Sequence, residues 1–172
     1  SVAYRLRSSF LPGKRPVLQS LKEHQIGAEI QLSNGAVLEK NRPYLIPLKE
    51  KMSLPEGVRA RANPKSSTGR LDVFTRVLVD GSPGFDEIPE RYRGPMYLEI
   101  VSRSFTLQVQ EDLSLNQVRL INGSGLVADE ELRRMHARTP LLYHYGLDGR
   151  LPRPADNITF ANGLFLTVDL SG

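Results

Sequence analysis

Two short stretches hold the residue types that can do chemistry. The first is Asn63-Pro64-Lys65-Ser66-Ser67-Thr68-Gly69-Arg70. Two cationic side chains, several hydroxyls and open backbone N–H groups in one polar loop are donors suited to phosphate oxygens. The Gly-x4-Gly-Lys-Ser/Thr spacing of a P-loop is missing, and a strand rather than a helix is expected to follow. An ordinary solvated turn between two strands has the same composition, and composition alone favours that turn. The second stretch is Tyr92-Arg93-Gly94-Pro95-Met96-Tyr97-Leu98-Glu99-Ile100. On a strand, Met96, Leu98 and Ile100 share one face and Tyr97, Glu99 and Val101 the other. A carboxylate amid apolar residues is costly if buried without a partner. Glu99 therefore either sits on a solvated face or lines a pocket, partly desolvated, where it can take a proton from water.

The elements that must hold these residues read as strands. Residues 2–7 alternate apolar and basic before the break at Ser8-Ser9-Phe10-Leu11-Pro12-Gly13. Residues 17–24 fit a short helix or an irregular crossing. Residues 28–32 alternate and end at Ser33-Asn34-Gly35, which predicts a hairpin with residues 36–39. Residues 44–48 contain Pro47 and suit a sheet edge. Further strands are expected over 58–62, 71–79, 96–101, 106–109 and 117–121, with a long loop over 80–93. One helix stands out at 128–138: Asp129 as N-cap, acids in the first turn, basic residues in the last, and Thr139-Pro140 as the stop. Residues 141–153 are turn-rich, and residues 158–170 offer one or two final strands. The pattern is an all-β sandwich or distorted jelly roll with one short helix, a single domain over residues 1–170.

Composition narrows the function classes. The 172 residues are 40% apolar, with 14 Gly, 12 Pro and no Cys or Trp, enough apolar content for a core and many breaks between short runs. Without cysteine there is no disulfide, thiolate nucleophile or cysteine-ligated metal, which suits a cytoplasmic setting. No signal-peptide pattern stands near Ser1, and no apolar run approaches the ~18–20 residues of a membrane span. The net charge of +4 is spread among acids and suits a small polyanion better than a nucleic-acid duplex. His24, His136 and His144 lie far apart without metal-ligand spacing and read as surface or capping residues.

At both stretches the chain resembles the dCTP deaminase and dUTPase superfamily. Residues 64–71 look like its Ser-containing signature, and Tyr92-Arg93-Gly94 is similar to the Tyr-Arg-Gly element of dUTPases. Gly94, four further residues and then Glu99 match the spacing at which dCTP deaminases place their catalytic Glu. Ser114-Leu115-Asn116-Gln117-Val118-Arg119-Leu120 resembles a later Gln-bearing motif. The resemblance implies a dUTPase-like jelly roll, a homotrimer or pseudo-trimer with active sites between subunits, and nucleoside triphosphates (dCTP, dUTP, dTTP) bound with Mg2+. It implies deamination without zinc. Glu99 matches the general base, Ser66 the serine that orients water and touches phosphate, and Arg70 the arginine that buttresses the site. Lys65, where the deaminases usually carry Arg, Ser67 and Gln117 match substrate-binding positions. The chain looks like the first half of the long tandem-repeat deaminase, with residues 168–172 entering a linker.

Deamination of dCTP to dUTP in deoxyuridylate and thymidylate supply is the leading expectation, because dUTPases have an apolar residue at the position of Glu99. Its rivals are a dUTP diphosphatase, or a bifunctional enzyme, with Asp80 or Asp86 as the water-activating acid. A third possibility is a non-catalytic nucleotide-binding or assembly module.

Overall fold

Strand-forming runs dominate the computed structural model, which describes residues 1–82, 84–123, 125–146, 149–161 and 163–166. The chain divides into two compact units, Ser1–Gly123 and Ser124–Gly172. In the first unit the order is β1 (Val2–Arg5), α1 (Val17–His24), β2 (Ile30–Gln31), β3 (Ala36–Leu38), β4 (Tyr44–Ser53), β5 (Val58–Pro64), α2 (Ser66–Arg70), β6 (Val73–Val79), β7 (Glu87–Ile88), β8 (Arg93–Ser102), β9 (Leu107–Val109) and β10 (Asn116–Asn122). These build a five-stranded sheet β2-β1-β4-β8-β6, a three-stranded sheet β10-β5-β7 and the pair β3-β9. All pairings are antiparallel, and among the described residues the sheets do not close into a barrel.

Strand β8 lies inside the large sheet, between β4 and β6. Its period of two separates its residues as the sequence predicts. Met96, Leu98 and Ile100 face two apolar clusters that also take in Ala60, Ala62 and Ile88 from β5 and β7, and Ala36, Leu38 and Val109 from β3 and β9. Tyr97 faces the other way, against Leu6, Phe10, Val17, Leu21, Leu45 and Leu78. That second face is covered by the segment leading into α1 and by α1 itself.

Several expectations need correction. The turn at Ser33-Asn34-Gly35 forms, with Gly35 at φ +81°, but its flanking strands do not pair. Strand β2 pairs with β1 and β3 with β9. Burial of Leu32, Ala36 and Leu38 in one cluster decides those partners over the local hairpin. Pro47 sits in a central strand, not at an edge. The β4–β8 register shifts between Pro47 and Lys51, and the irregularity absorbs the missing N–H. Residues 17–24 take the helical form of the two expected, whereas residues 66–70 form a turn of helix rather than a loop.

The second unit holds α3 (Asp129–Arg138), the hairpin β11 (Tyr143–Gly146) with β12 (Gly149–Pro152), and a 3₁₀ turn at Ala155–Asn157. Its N-cap lies one residue earlier than expected: Ala128 is the N-cap, and Asp129 joins Glu130 and Glu131 in the first turn, where they favour the positive end. His136 is buried, not a surface residue. Its Nδ1 accepts the Leu141 N–H at 3.0 Å and its Nε2 lies 2.7 Å from the Arg153 carbonyl oxygen. Over residues 158–166 only a bridge between Phe160 and Leu164 forms among the described residues, and the rest of the expected final strands lies outside them. Among the described residues no helix is long and apolar enough to cross a membrane.

Candidate active site

Register places a cation opposite the carboxylate. Arg76 on β6 is the direct antiparallel partner of Glu99 on β8, so both side chains project from the same face, within reach of each other. Glu99 is 1% exposed, and its Oε1 accepts both the Nε–H of Arg76, at 3.1 Å, and a close Nη2–H. Ser9, in the segment before α1, donates its hydroxyl to the same Oε1 at 3.0 Å and accepts an Nη2–H of Arg76 at 3.0 Å. The three groups form a closed triangle. The Phe85 ring supports it from outside, its centroid 4.0 Å from the Arg76 guanidinium carbon. The other carboxylate oxygen, Oε2, is buried with no hydrogen-bond partner among the described residues. Such an atom lacks the donor that a buried carboxylate oxygen demands, and a water or an amine can supply one.

Neighbouring ionisable groups have other duties. Asp86 Oδ1 accepts the Val77 N–H at 2.8 Å, and burial raises its carboxyl above the ordinary range although Arg76 and Arg61 pull it down. Asp80 Oδ1 accepts the Val17 N–H at 2.7 Å, serving the first turn of α1, whose N-cap residue Pro16 makes no side-chain bond. Both aspartates are thus bound to backbone. Burial pushes the Tyr97 phenol up to about 12, so it stays protonated at working pH. Tyr92 and Gly94 of the Tyr-Arg-Gly element have a packing role. The Tyr92 hydroxyl donates to the Pro95 carbonyl at 2.5 Å and lies where a Cβ on Gly94 would meet it at 2.7 Å.

The helical turn that begins at Lys65 is tied to the second sheet. The Lys65 N–H donates to the Leu115 carbonyl at 3.0 Å, Thr68 is buried, and the Gly69 N–H closes the turn on the Lys65 carbonyl at 3.0 Å. Ser66, Ser67 and Arg70 are exposed. Among the described residues no hydrogen bond or ion pair joins Glu99 to Lys65, Ser66, Ser67 or Arg70. Gln117 lies on β10 opposite Asn63 and lines a cavity of about 360 Å³ with Ile46, Val77, Met96 and Leu98. Those residues are on the face of the large sheet opposite Glu99, so the cavity and the carboxylate are separated by the sheet itself. The expected site residues accordingly fall into three places: buried Glu99 with its partners Arg76 and Ser9, the exposed turn at 65–70, and the cavity edge.

Sequence reasoning missed Arg76 and Ser9. The signal was a lone Arg in the apolar run Val73–Val79. It has the opposite charge to Glu99 and becomes its neighbour once the two strands pair.

Antiparallel sheets with a buried carboxylate on an inner strand place the chain in the all-β, dUTPase-like class of proteins. Within that class it belongs to the dCTP deaminase family: residues 1–124 match the domain described as the 2'-deoxycytidine 5'-triphosphate deaminase (DCD) N-terminal domain. The crystal structure of 2'-deoxycytidine 5'-triphosphate deaminase from Agrobacterium tumefaciens is similar, with a TM-score of 0.70 and 45% identity. The match covers 82% of this chain and 42% of that one, so the chain spans less than half of that structure's length. No curated protein matched the sequence.

Proposed function

We propose that this chain is a domain of an enzyme that hydrolyses dCTP to dUTP and ammonia without zinc. The observation that carries the reading is the Glu99 carboxylate, buried on the inner strand β8, with one oxygen anchored and the other lacking a donor among the described residues. A water placed at Oε2 would give up a proton to the carboxylate as its oxygen attacks C4 of cytosine. The C4–N bond then breaks as the carboxylate passes that proton to the leaving nitrogen, and the proton left on the C4 hydroxyl moves to N3 to give the uracil ring, so one group serves as base and then acid. Lys65, Ser66, Ser67 and Arg70 would bind the triphosphate, with Ser66 and Arg70 also reaching the water and the developing charge. Magnesium would arrive on the phosphates.

Among the described residues no hydrogen bond or ion pair joins the exposed turn at 65–70 to the buried carboxylate, and a site completed between copies in a trimer or pseudo-trimer would bring the two together. A second copy of the domain within a longer protein belongs to the same reading, supported by the share of the Agrobacterium chain left uncovered. Product analysis on the full-length protein tests the reaction. Ammonia and dUTP from dCTP are expected. Pyrophosphate and a monophosphate from dUTP, with no ammonia from dCTP, would replace deamination by diphosphatase activity.

A further inference from the structure

We propose that Arg76 is a positioning residue for the reaction, one that fixes which oxygen of Glu99 faces the substrate. The inference rests on the deaminase reading of Glu99 and concerns a residue that reading does not use. A carboxylate on a strand can rotate about its terminal torsion and present either oxygen. Here two donors of Arg76 and the hydroxyl of Ser9 all converge on Oε1. Three donors on one oxygen leave Oε2 as the oxygen with lone pairs to offer, and they set the plane in which those lone pairs lie. Arg76 is held in turn: its Nη2 also donates to Ser9, and Phe85 packs on the guanidinium plane.

The planar fork of Arg suits this task, since it sends two N–H groups to one oxygen while its face stays free for the ring. Lys at the same place would bring a rotating point charge and no such plane. Ser9 comes from a different part of the chain and couples the segment that covers this face to the orientation of the carboxylate. The side chain of Arg76 is 39% exposed, so a small solute can reach its position.

The test measures steady-state ammonia release from dCTP by the full-length wild type and by Arg76→Ala, Arg76→Lys and Ser9→Ala. Arg76→Ala should lower kcat on the order of 10²-fold, the effect of a misplaced catalytic group, with KM little changed. Added guanidinium ion should restore part of that loss. Arg76→Lys should fall between wild type and Arg76→Ala. Ser9→Ala, at an exposed position that tolerates truncation, should lose several-fold in kcat alone. A loss in Arg76→Ala that guanidinium does not restore makes Arg76 a structural ion pair and overturns the proposal. Wild-type kcat in both Arg76→Lys and Ser9→Ala overturns it as well. A wild type that releases no ammonia removes the deaminase reading itself, and the role of Arg76 with it.

Discussion

Replacing Gly94 with Ala probes the packing at the start of β8, the strand that carries Glu99. The added Cβ would lie 2.7 Å from Tyr92 Oη and 3.0 Å from Cζ, closer than nonbonded carbon tolerates. Tyr92 is buried and its hydroxyl is bound to the Pro95 carbonyl at 2.5 Å, so the ring cannot yield without losing that bond. Overpacking and loss of one buried hydrogen bond together predict a destabilisation of about 2–4 kcal/mol. Urea unfolding gives the number directly. Tyr92→Phe alone should cost about 1 kcal/mol, the value of the hydrogen bond. The double variant should cost less than the sum of the singles by roughly 1 kcal/mol, because the oxygen nearest the new methyl is gone. A Gly94→Ala protein within about 0.5 kcal/mol of wild type would refute the argument, since that is the range of a surface change.

Arg70→Ala should weaken dCTP binding by roughly 1.5–3 kcal/mol through loss of a charge-assisted bond, read by calorimetry on the full-length protein. Asp80→Ala removes the acceptor for the first turn of α1 and should lower stability by about 0.5–2 kcal/mol in thermal unfolding. Asp86 carries a pH signature. Its folded carboxyl is raised above its ordinary 3.8 by burial, so the native state binds the proton more tightly than the unfolded chain. Stability from this group therefore falls as pH rises from 3.8 through the raised value. Asp86→Asn, which keeps an acceptor for Val77, should be more stable than wild type at neutral pH. The gap should close toward acid, as urea melts at the two extremes would report.

Local patterns read well from sequence where one face of a strand is apolar. The alternation around Glu99 gave the two faces of β8 because each is buried against its own cluster. Partners were less legible. Nothing local tells that β3 will leave its turn to pair with β9, or that Pro47 will sit at a register shift inside a sheet. Those outcomes depend on which distant apolar residues share a core. The site divides the same way. Glu99 and the 65–70 loop stand out by residue type, whereas Arg76 and Ser9 gain meaning only when pairing brings positions 23 and 90 apart in sequence onto one carboxylate oxygen. Asp80 and Asp86 look alike as candidate acids, yet each is committed to a backbone N–H. The helical turn at 66–70 was hidden because Ser, Thr and Gly favour loops, and its few bonds follow from anchoring at Lys65 and burial of Thr68.

Ammonia release from dCTP by the full-length protein carrying Glu99→Gln bears most directly on the account. The amide keeps the shape of the side chain and can still accept a hydrogen bond, but it is no longer a base. Turnover should fall by roughly 10²–10⁴-fold or more while dCTP binding measured by calorimetry survives. Near-normal ammonia release from that variant would contradict the assignment of Glu99, and with it the reading of this domain as a deaminase.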